Sequence, residues 1–456
     1  MKKIILAILI LAVLGIPVFA GGETQPQTQT QAQAQAGGNI KIWVGAEAVP
    51  FYLQKMNEYR ARNPGFAYTV TVEAVDAGSA AAKFMDDTAA GADIFSIAHD
   101  NLGKLTAGAS VIGPVTDQAL LRQIQNDNPA SFQSLVKATV QNTEYTFGIP
   151  YRSQALILYY NKARLTEDDV KTWEGILAKA KSLGKQSVSL LGDDGYNNSF
   201  LVLATRESDQ RAIADIFLNN VLTNSNITSD LAVATMQWGR RFFTDANGGK
   251  KPSDSGWEVE LKNEASLSLI GGAWNFKAAS AALGSNLGIA VLPNFTLTAE
   301  DVAGTNIAAG TTMRSGTFSD AFLFVMKKYN TNNAAEAARA AAVQQVLLYL
   351  SSKEVQEEAF NAIQNQPAYK NARTEFTGTR ANTIEGLLAR MQFEMFDRGR
   401  PQPIFNARAN LYYYQSGGPQ IILDILTNIG NQYSTTQQVR SGLAIVESIW
   451  KTGSRP

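Results

Sequence analysis

Residues 40–72 read IKIWVGAEAVPFYLQKMNEYRARNPGFAYTVTV. Ile40, Ile42 and Val44 alternate around Lys41 and Trp43, which is the period of a strand. Tyr52, Met56 and Tyr59 then recur at i, i+4 and i+7, on one face of a helix that Asn63-Pro64-Gly65 ends. Tyr68 to Val72 alternates again as a second strand. Strand, helix and strand at this spacing make a βαβ unit and favour a parallel sheet.

Outward from this unit the alternation continues. Ala92 to Ala98 reads as a buried strand leading into a polar turn, His99-Asp100-Asn101. Gly148-Ile149-Pro150 precedes a second apolar run, Ala155 to Tyr160. Trp173, Ile176, Leu177 and Ala180 form a helical stripe that Gly184 stops. Leu267 to Ile270, Leu287 to Leu292 and Ala321 to Val325 are expected as short buried strands. Ala334 to Leu350 is an Ala-rich helix with Val343, Val346, Leu347 and Leu350 facing inward. From about residue 371 the pattern is mainly helical. No internal repeat is found, and the expected class is α/β in two lobes.

The first residues predict export. Met1-Lys2-Lys3 is a positive n-region, Ile4 to Ile16 an apolar h-region, and Val18-Phe19-Ala20 a small-residue cleavage site after Ala20. The apolar run is short against a bilayer core of roughly 30 Å, and no later stretch reaches eighteen apolar residues without charge. Residues 23–36 (ETQPQTQTQAQAQA) are polar and of low complexity, a tether that cannot bury enough apolar surface to order itself. Cysteine is absent, so the usual site of N-terminal lipid attachment is missing and the mature chain is expected to diffuse freely in a periplasm. Lys plus Arg equals Asp plus Glu at 40 each, which leaves no global field for nucleic acid or anionic lipid.

Composition also narrows the chemistry. With no Cys and one histidine, His99, thiol nucleophiles, thiolate zinc sites and multi-histidine metal sites are excluded. No G-x-S-x-G elbow and no G-x-x-x-x-G-K-[ST] phosphate loop occurs. Carboxylate catalysis stays open, as in a secreted carbohydrate-active enzyme with two carboxylates about 5–10 Å apart. The pairs Asp86-Asp87, Asp168-Asp169 and Asp193-Asp194 read as surface or helix-start residues instead. No cofactor is expected.

Several segments carry a resemblance: IKIW at 40–43, ADIFSIAHD at 92–100, GIPYRSQALILYYNK at 148–162, KTWE at 171–174, GGAW at 271–274 and VLP at 291–293. The Ala-rich helix with SSKE at 351–354 completes the series. In this order they resemble the family-1 extracellular solute-binding proteins of ABC transporters, whose best-known member binds maltose. The resemblance implies a two-lobed periplasmic-binding-protein fold of type II, closing by hinge bending on a ligand in the interlobe cleft. It implies chain crossings near 149–154, 313–319 and 367–373. With a signal peptide over 1–20 and a tether over 21–38, one lobe is then 39–150 plus 320–370. The other is 151–319 plus 371–456. The implied partners are a sugar and the permease subunits of an inner-membrane transporter, with the protein a monomer. A ligand-binding sensor subunit is the third alternative.

Sugars offer hydroxyls that need polar partners and apolar ring faces that stack on aromatics, so Asp, Glu, Asn or Gln with Trp or Tyr in one cleft is the pattern sought. Asp100 and Asn101 sit beyond a strand's carboxyl end, where ligands bind in open α/β sheets, and by resemblance Asp100 meets sugar hydroxyls. A turn cap is its alternative. His99 is expected to support the turn. Gln154 matches a hydroxyl-binding carboxylate of the maltose binder, and Glu47 keeps an early acidic residue. Trp274 matches the family's stacking tryptophan, with a core position as its alternative. Tyr196, with Asp194 before it, matches a second-lobe aromatic, and Leu411 to Tyr414 resembles a late aromatic cluster in which Tyr412 or Tyr413 faces the cleft. Ile97, Asn101 and Ala48 stand where the maltose binder has an aromatic, a basic residue and a lysine. Those three changes detach the ligand's identity from maltose.

Overall fold

The computed structural model describes residues 38–190, 195–214, 225–250, 256–372, 382–402, 413–414 and 417–455. The first chain segment builds β1 (Asn39–Val44), α1 (Val49–Arg62), β2 (Thr69–Ala74), α2 (Ala77–Asp86), β3 (Ile94–Ala98), β4 (Ile112–Gly113) and β5 (Ile149–Gln154). β1 lies parallel to both β2 and β3, as a βαβ path requires. Pro50 lies in the first turn of α1, where a missing N–H does no harm, and Tyr52, Met56 and Tyr59 are buried on its inner face.

After β5 only Ala155 and Leu156 intervene before β6 (Ile157–Asn161), which belongs to a second sheet. That sheet gathers α3 (Trp173–Leu183), β7 (Val188–Leu190), α4 (Asp230–Thr244), β8 (Gly249–Lys250), β9 (Ser268–Gly271), α5 (Phe276–Leu283) and β10 (Leu287–Ala290), in strand order β8-β7-β9-β6-β10. Thr172 caps α3 at one end, and Gly184, at φ 63°, stops it in the left-handed conformation that glycine adopts without strain. The chain then returns to the first sheet as β11 (Asp320–Lys327), antiparallel to β3, β4 and β5. The first sheet thus runs β2-β1-β3-β11-β4, with β5 also on β11. α6 (Ala334–Leu350), α7 (Lys353–Ile363), α8 (Ile384–Arg398), α9 (Gly418–Thr427) and α10 (Thr436–Thr452) follow.

Two large hydrophobic cores result. One joins β1, β3, β5 and β11 to α1, α2 and α6, and the other joins β6, β9 and β10 to α3, α4, α9 and α10. The expected strands and helices form with ends moved by one or two residues, since pairing partners and not apolar content set where a ladder stops. No helix among the described residues is long and apolar enough to cross a membrane.

The first core is fastened by one buried carboxylate. Asp93 accepts from Arg339 Nε and Nη2 (both 2.8 Å), from the Tyr329 hydroxyl and from the Lys41 amide (2.8 Å). Burial by itself raises this carboxyl, but the Arg339, Tyr329 and Lys41 hydrogen bonds outweigh it and hold it below the ordinary aspartate value. A depressed carboxyl contributes stability at neutral pH that is lost as pH falls through its folded value. Asp93→Ala is expected to cost about 2–3 kcal/mol in urea unfolding at pH 7. The gap between variant and parent should narrow as the measurement is taken to pH 3; a gap independent of pH would contradict the ion-pair account.

Candidate functional site

A cavity of about 950 Å³ opens between the two sheets, lined from both sides by residues that follow strand ends. Glu47 comes from the turn after β1, Asp100 and Asn101 from the turn after β3, and Gln154 from the end of β5. Trp274 comes from the turn after β9 on the opposite wall, and Tyr196 from the segment between β7 and α4. All six were expected at the site from the sequence, and the fold brings them into one space. Asp194 and Tyr412 lie outside the described residues. Tyr413 does not reach the cavity: it is buried with its hydroxyl donating to the Gly195 carbonyl at 2.9 Å, and its neighbour Tyr414 lines the wall instead. Residues 413 and 414 are helical, so consecutive side chains diverge by about 100° and only one can face inward.

Trp274 is 46% exposed, whereas the other five tryptophans are at most 7% exposed. A large indole left open to solvent inside a concave wall is not a core residue, and its face can serve as a stacking surface. Its ring lies 6.1 Å from that of Tyr196, which in turn stacks on Phe318 at 5.6 Å, so the platform has a rigid backing. Gly272 permits this position by close approach. A Cβ there would stand 1.9 Å from the Trp274 ring. The turn itself is pinned by Tyr159, whose hydroxyl donates to the Gly272 carbonyl at 2.8 Å, and by Asn275, whose side-chain oxygen accepts the Gly272 amide at 3.0 Å.

The polar floor is built on the turn after β3. Asn101 donates to Asp100 at 2.9 Å and accepts from Lys104 Nζ at 3.1 Å. Lys104, one turn on, brings a cation to the wall although position 101 lacks one. Desolvation, with a smaller contribution from the nearby Asp320, pushes the Asp100 carboxyl up to about 6, against the opposing pull of His99, Lys104 and Asn101. His99 supports the turn as expected: it is fully buried and its Nε2–H donates to the Gln402 carbonyl at 2.9 Å.

Other lining residues went unread in the sequence. Arg152 lies with its guanidinium 3.7 Å from the Phe322 ring centre and donates to Asn365 at 3.0 Å. Its proximity to the site is a strand-period consequence, two residues before Gln154. Tyr151 also lines the cavity, which strict alternation forbids. The register of β5 on β11 slips between Arg152–Phe322 and Pro150–Leu323, so Tyr151 is the extra residue of a bulge and its side chain is re-aimed. Lys277 follows Trp274 by three residues, the spacing that puts both on one face of a helical turn. Gln402 and Tyr414 come from the far C-terminal part of the chain; no local pattern marks Gln402, while Tyr414 closes the aromatic cluster read in the sequence, where Tyr412 or Tyr413 was expected to face the cleft.

A search of curated protein sequences finds no match. Among solved structures, the maltodextrin binding protein MalE1 from L. casei BL23, without ligand, is 20% identical with a TM-score of 0.68, over 91% of this chain and 99% of that one. The maltose-binding periplasmic protein MalE from Listeria monocytogenes, in complex with maltose, is 16% identical with a TM-score of 0.66, over 91% and 98%. MalX from Streptococcus pneumoniae, in complex with maltopentaose, is 16% identical with a TM-score of 0.65, over 90% and 99%. At such identities the likeness is one of fold, and it agrees with the two-lobed α/β architecture read from the sequence. Residues 54–383, well over half of the chain, match the family described as bacterial extracellular solute-binding protein, and the chain belongs to that family.

Proposed function

We propose that the protein captures a mono- or oligosaccharide in this cavity and delivers it to an ABC permease. The observation that carries the reading is Trp274, the one open indole among six, facing a wall of Asp100, Asn101 and Gln154. A sugar ring stacks on the indole through its apolar face while its hydroxyls exchange hydrogen bonds with the opposite wall. Gln154 and Asn101 can each donate and accept, which suits hydroxyls of either orientation. The proteins of similar fold include a maltodextrin binding protein and two complexes, with maltose and with maltopentaose, which supports this ligand class.

In the same reading the lobes are 39–150 plus 320–370 and 151–319 plus 371–456, and a ligand touching both stabilises the closed arrangement. The chain acts as a binder and not as a catalyst. Cleavage after Ala20 releases a monomeric carrier into the periplasm, where it meets its permease by diffusion.

Thermal-shift screening against a sugar panel tests the capture reading, since a ligand at about 100 times its Kd stabilises the native state by about 2.7 kcal/mol. No shift with any sugar, but a shift with amino acids or polyamines, would refute it. Trp274→Ala is expected to weaken the binding sugar about tenfold by titration calorimetry. Its free-state melting temperature should barely move, because exposed substitutions usually stay within about 0.5 kcal/mol.

Asp100 carries a stability cost. Its folded value, about 6, lies above the ordinary 3.8. A raised carboxyl favours the fold most below the unfolded value, and that stability is lost as pH rises through the folded one. Asp100→Asn should therefore melt at a higher temperature than the parent at pH 7, with the difference vanishing below about pH 4. The same variant should bind sugar more weakly. A variant less stable than the parent at pH 7 would assign Asp100 to the turn alone.

A further inference from the structure

Behind the cavity floor lies a second carboxylate. Asp320 opens β11, opposite Gln154 of β5, at the point where the chain returns from the second sheet. It is fully buried. Its carboxylate accepts from Gln402 through the side chain (2.7 Å) and the backbone amide (3.3 Å), and from the Tyr196 hydroxyl. Tyr196 receives the Gln154 amide at 3.4 Å, and Gln402 Oε1 receives the Tyr414 hydroxyl. Four cavity-lining side chains from distant parts of the sequence therefore hang from one carboxylate, directly or at one remove.

A buried carboxylate needs a compensating charge or proton. Among the described residues, the side chain that forms an ion pair with Asp320 is His99, whose Nδ1 stands 3.7 Å from Oδ1. The tautomer follows from chemistry. The Gln402 carbonyl can only accept, so His99 Nε2 carries a hydrogen. In a neutral ring Nδ1 is then a lone pair, and it has no hydrogen-bond partner among the described residues. A lone pair facing a carboxylate across a buried site repels it, and one proton between them turns repulsion into attraction. Burial raises the Asp320 carboxyl, opposed by His99, Gln402 and Tyr196, which agrees with a proton held nearby. The other titratable groups facing the pair are Asp100, Tyr196 and Tyr414, with Lys104 beyond Asp100.

We propose that Asp320 is a positioning residue for the ligand cavity, fixing Tyr196 and Gln402 as half of a pair with His99 that carries one proton between Oδ1 and Nδ1. The role in binding rests on the sugar-capture reading, but the pair can be observed without any ligand. His99 is the only histidine of the chain, so long-range proton–nitrogen NMR of the 15N-labelled free protein reports its two ring nitrogens alone. At pH 7, Nδ1 should be shifted away from the bare lone-pair position, and Asp320→Asn should return it there. A bare Nδ1 in the parent, or one that Asp320→Asn leaves unmoved, would overturn the pair.

The positioning is read at Trp274, whose ring neighbours Tyr196. Asp320→Asn and Tyr196→Phe should shift its emission in the same direction, each measured against a matching Trp274→Phe background. Emission unchanged by both variants would reduce Asp320 to a residue of the fold. If Asp320→Asn does not fold, the parent's Nδ1 position and the Tyr196→Phe emission still decide the matter. Neither readout uses a sugar, so a failed sugar panel and a failed pair are separate results.

Discussion

The side chain of Gln392 closes a two-bond clasp on Ala155: its oxygen accepts the Ala155 amide and its nitrogen donates to the Ala155 carbonyl, both at 2.9 Å. Ala155 is one of the two residues between the first sheet and the second, so its backbone has no ladder to join. The other, Leu156, gives its amide to the Thr317 hydroxyl at 2.9 Å, on the segment that runs back. Ser153 gives its amide to the Gln366 carbonyl at 2.8 Å. Buried backbone groups left unpaired here would each cost about 1–3 kcal/mol. The side chains of α8 and of the return segment remove that cost, and in doing so they tie the passages between the sheets to one another. The cavity lies over passages joined in this way.

From this clasp the site follows. β5 ends at Gln154 and β11 begins at Asp320, in register with each other, so the cavity floor lies directly above the junction. The turns after β1 and β3 supply one wall, and the turn after β9 supplies the other. Each wall is anchored in its own sheet and core. Ligand contacts divided between two such bodies are the arrangement by which binding energy is converted into closure.

Much of this was legible in the sequence, for identifiable reasons. β1, α1 and β2 announce themselves by period, and Gly184 and Thr172 mark the ends of α3 with residues whose backbone preferences are strong. Asp100 and Trp274 were legible because a strand followed by a polar or glycine-rich turn has few other places to put them. The polar network was not. Gln402 reaches the floor from far along the chain, and nothing in its neighbours distinguishes it from a surface residue; Tyr414 belongs to an aromatic cluster that the sequence marks, but the cluster alone does not show which tyrosine lines the wall. Tyr151 was hidden for a different reason: a bulge breaks the two-residue period, and bulges depend on the partner strand. Tyr413 and Tyr414 could be separated only once their backbone was known to be helical.

The bulged strand has a consequence for how such a protein can change its diet. Tyr151, Arg152 and Gln154 line the cavity, yet the same six-residue strand holds the passage between the sheets, with Arg152 against Phe322 and Asn365, and Tyr151 stacked on Phe324 at 3.9 Å. Replacing any of them would alter the cavity wall and the passage between the sheets together. The Trp274–Lys277 turn and the Glu47 turn carry no such double duty. New specificities should arise by drift at the rims of the cleft, while the floor stays nearly frozen across descendants that take up different solutes.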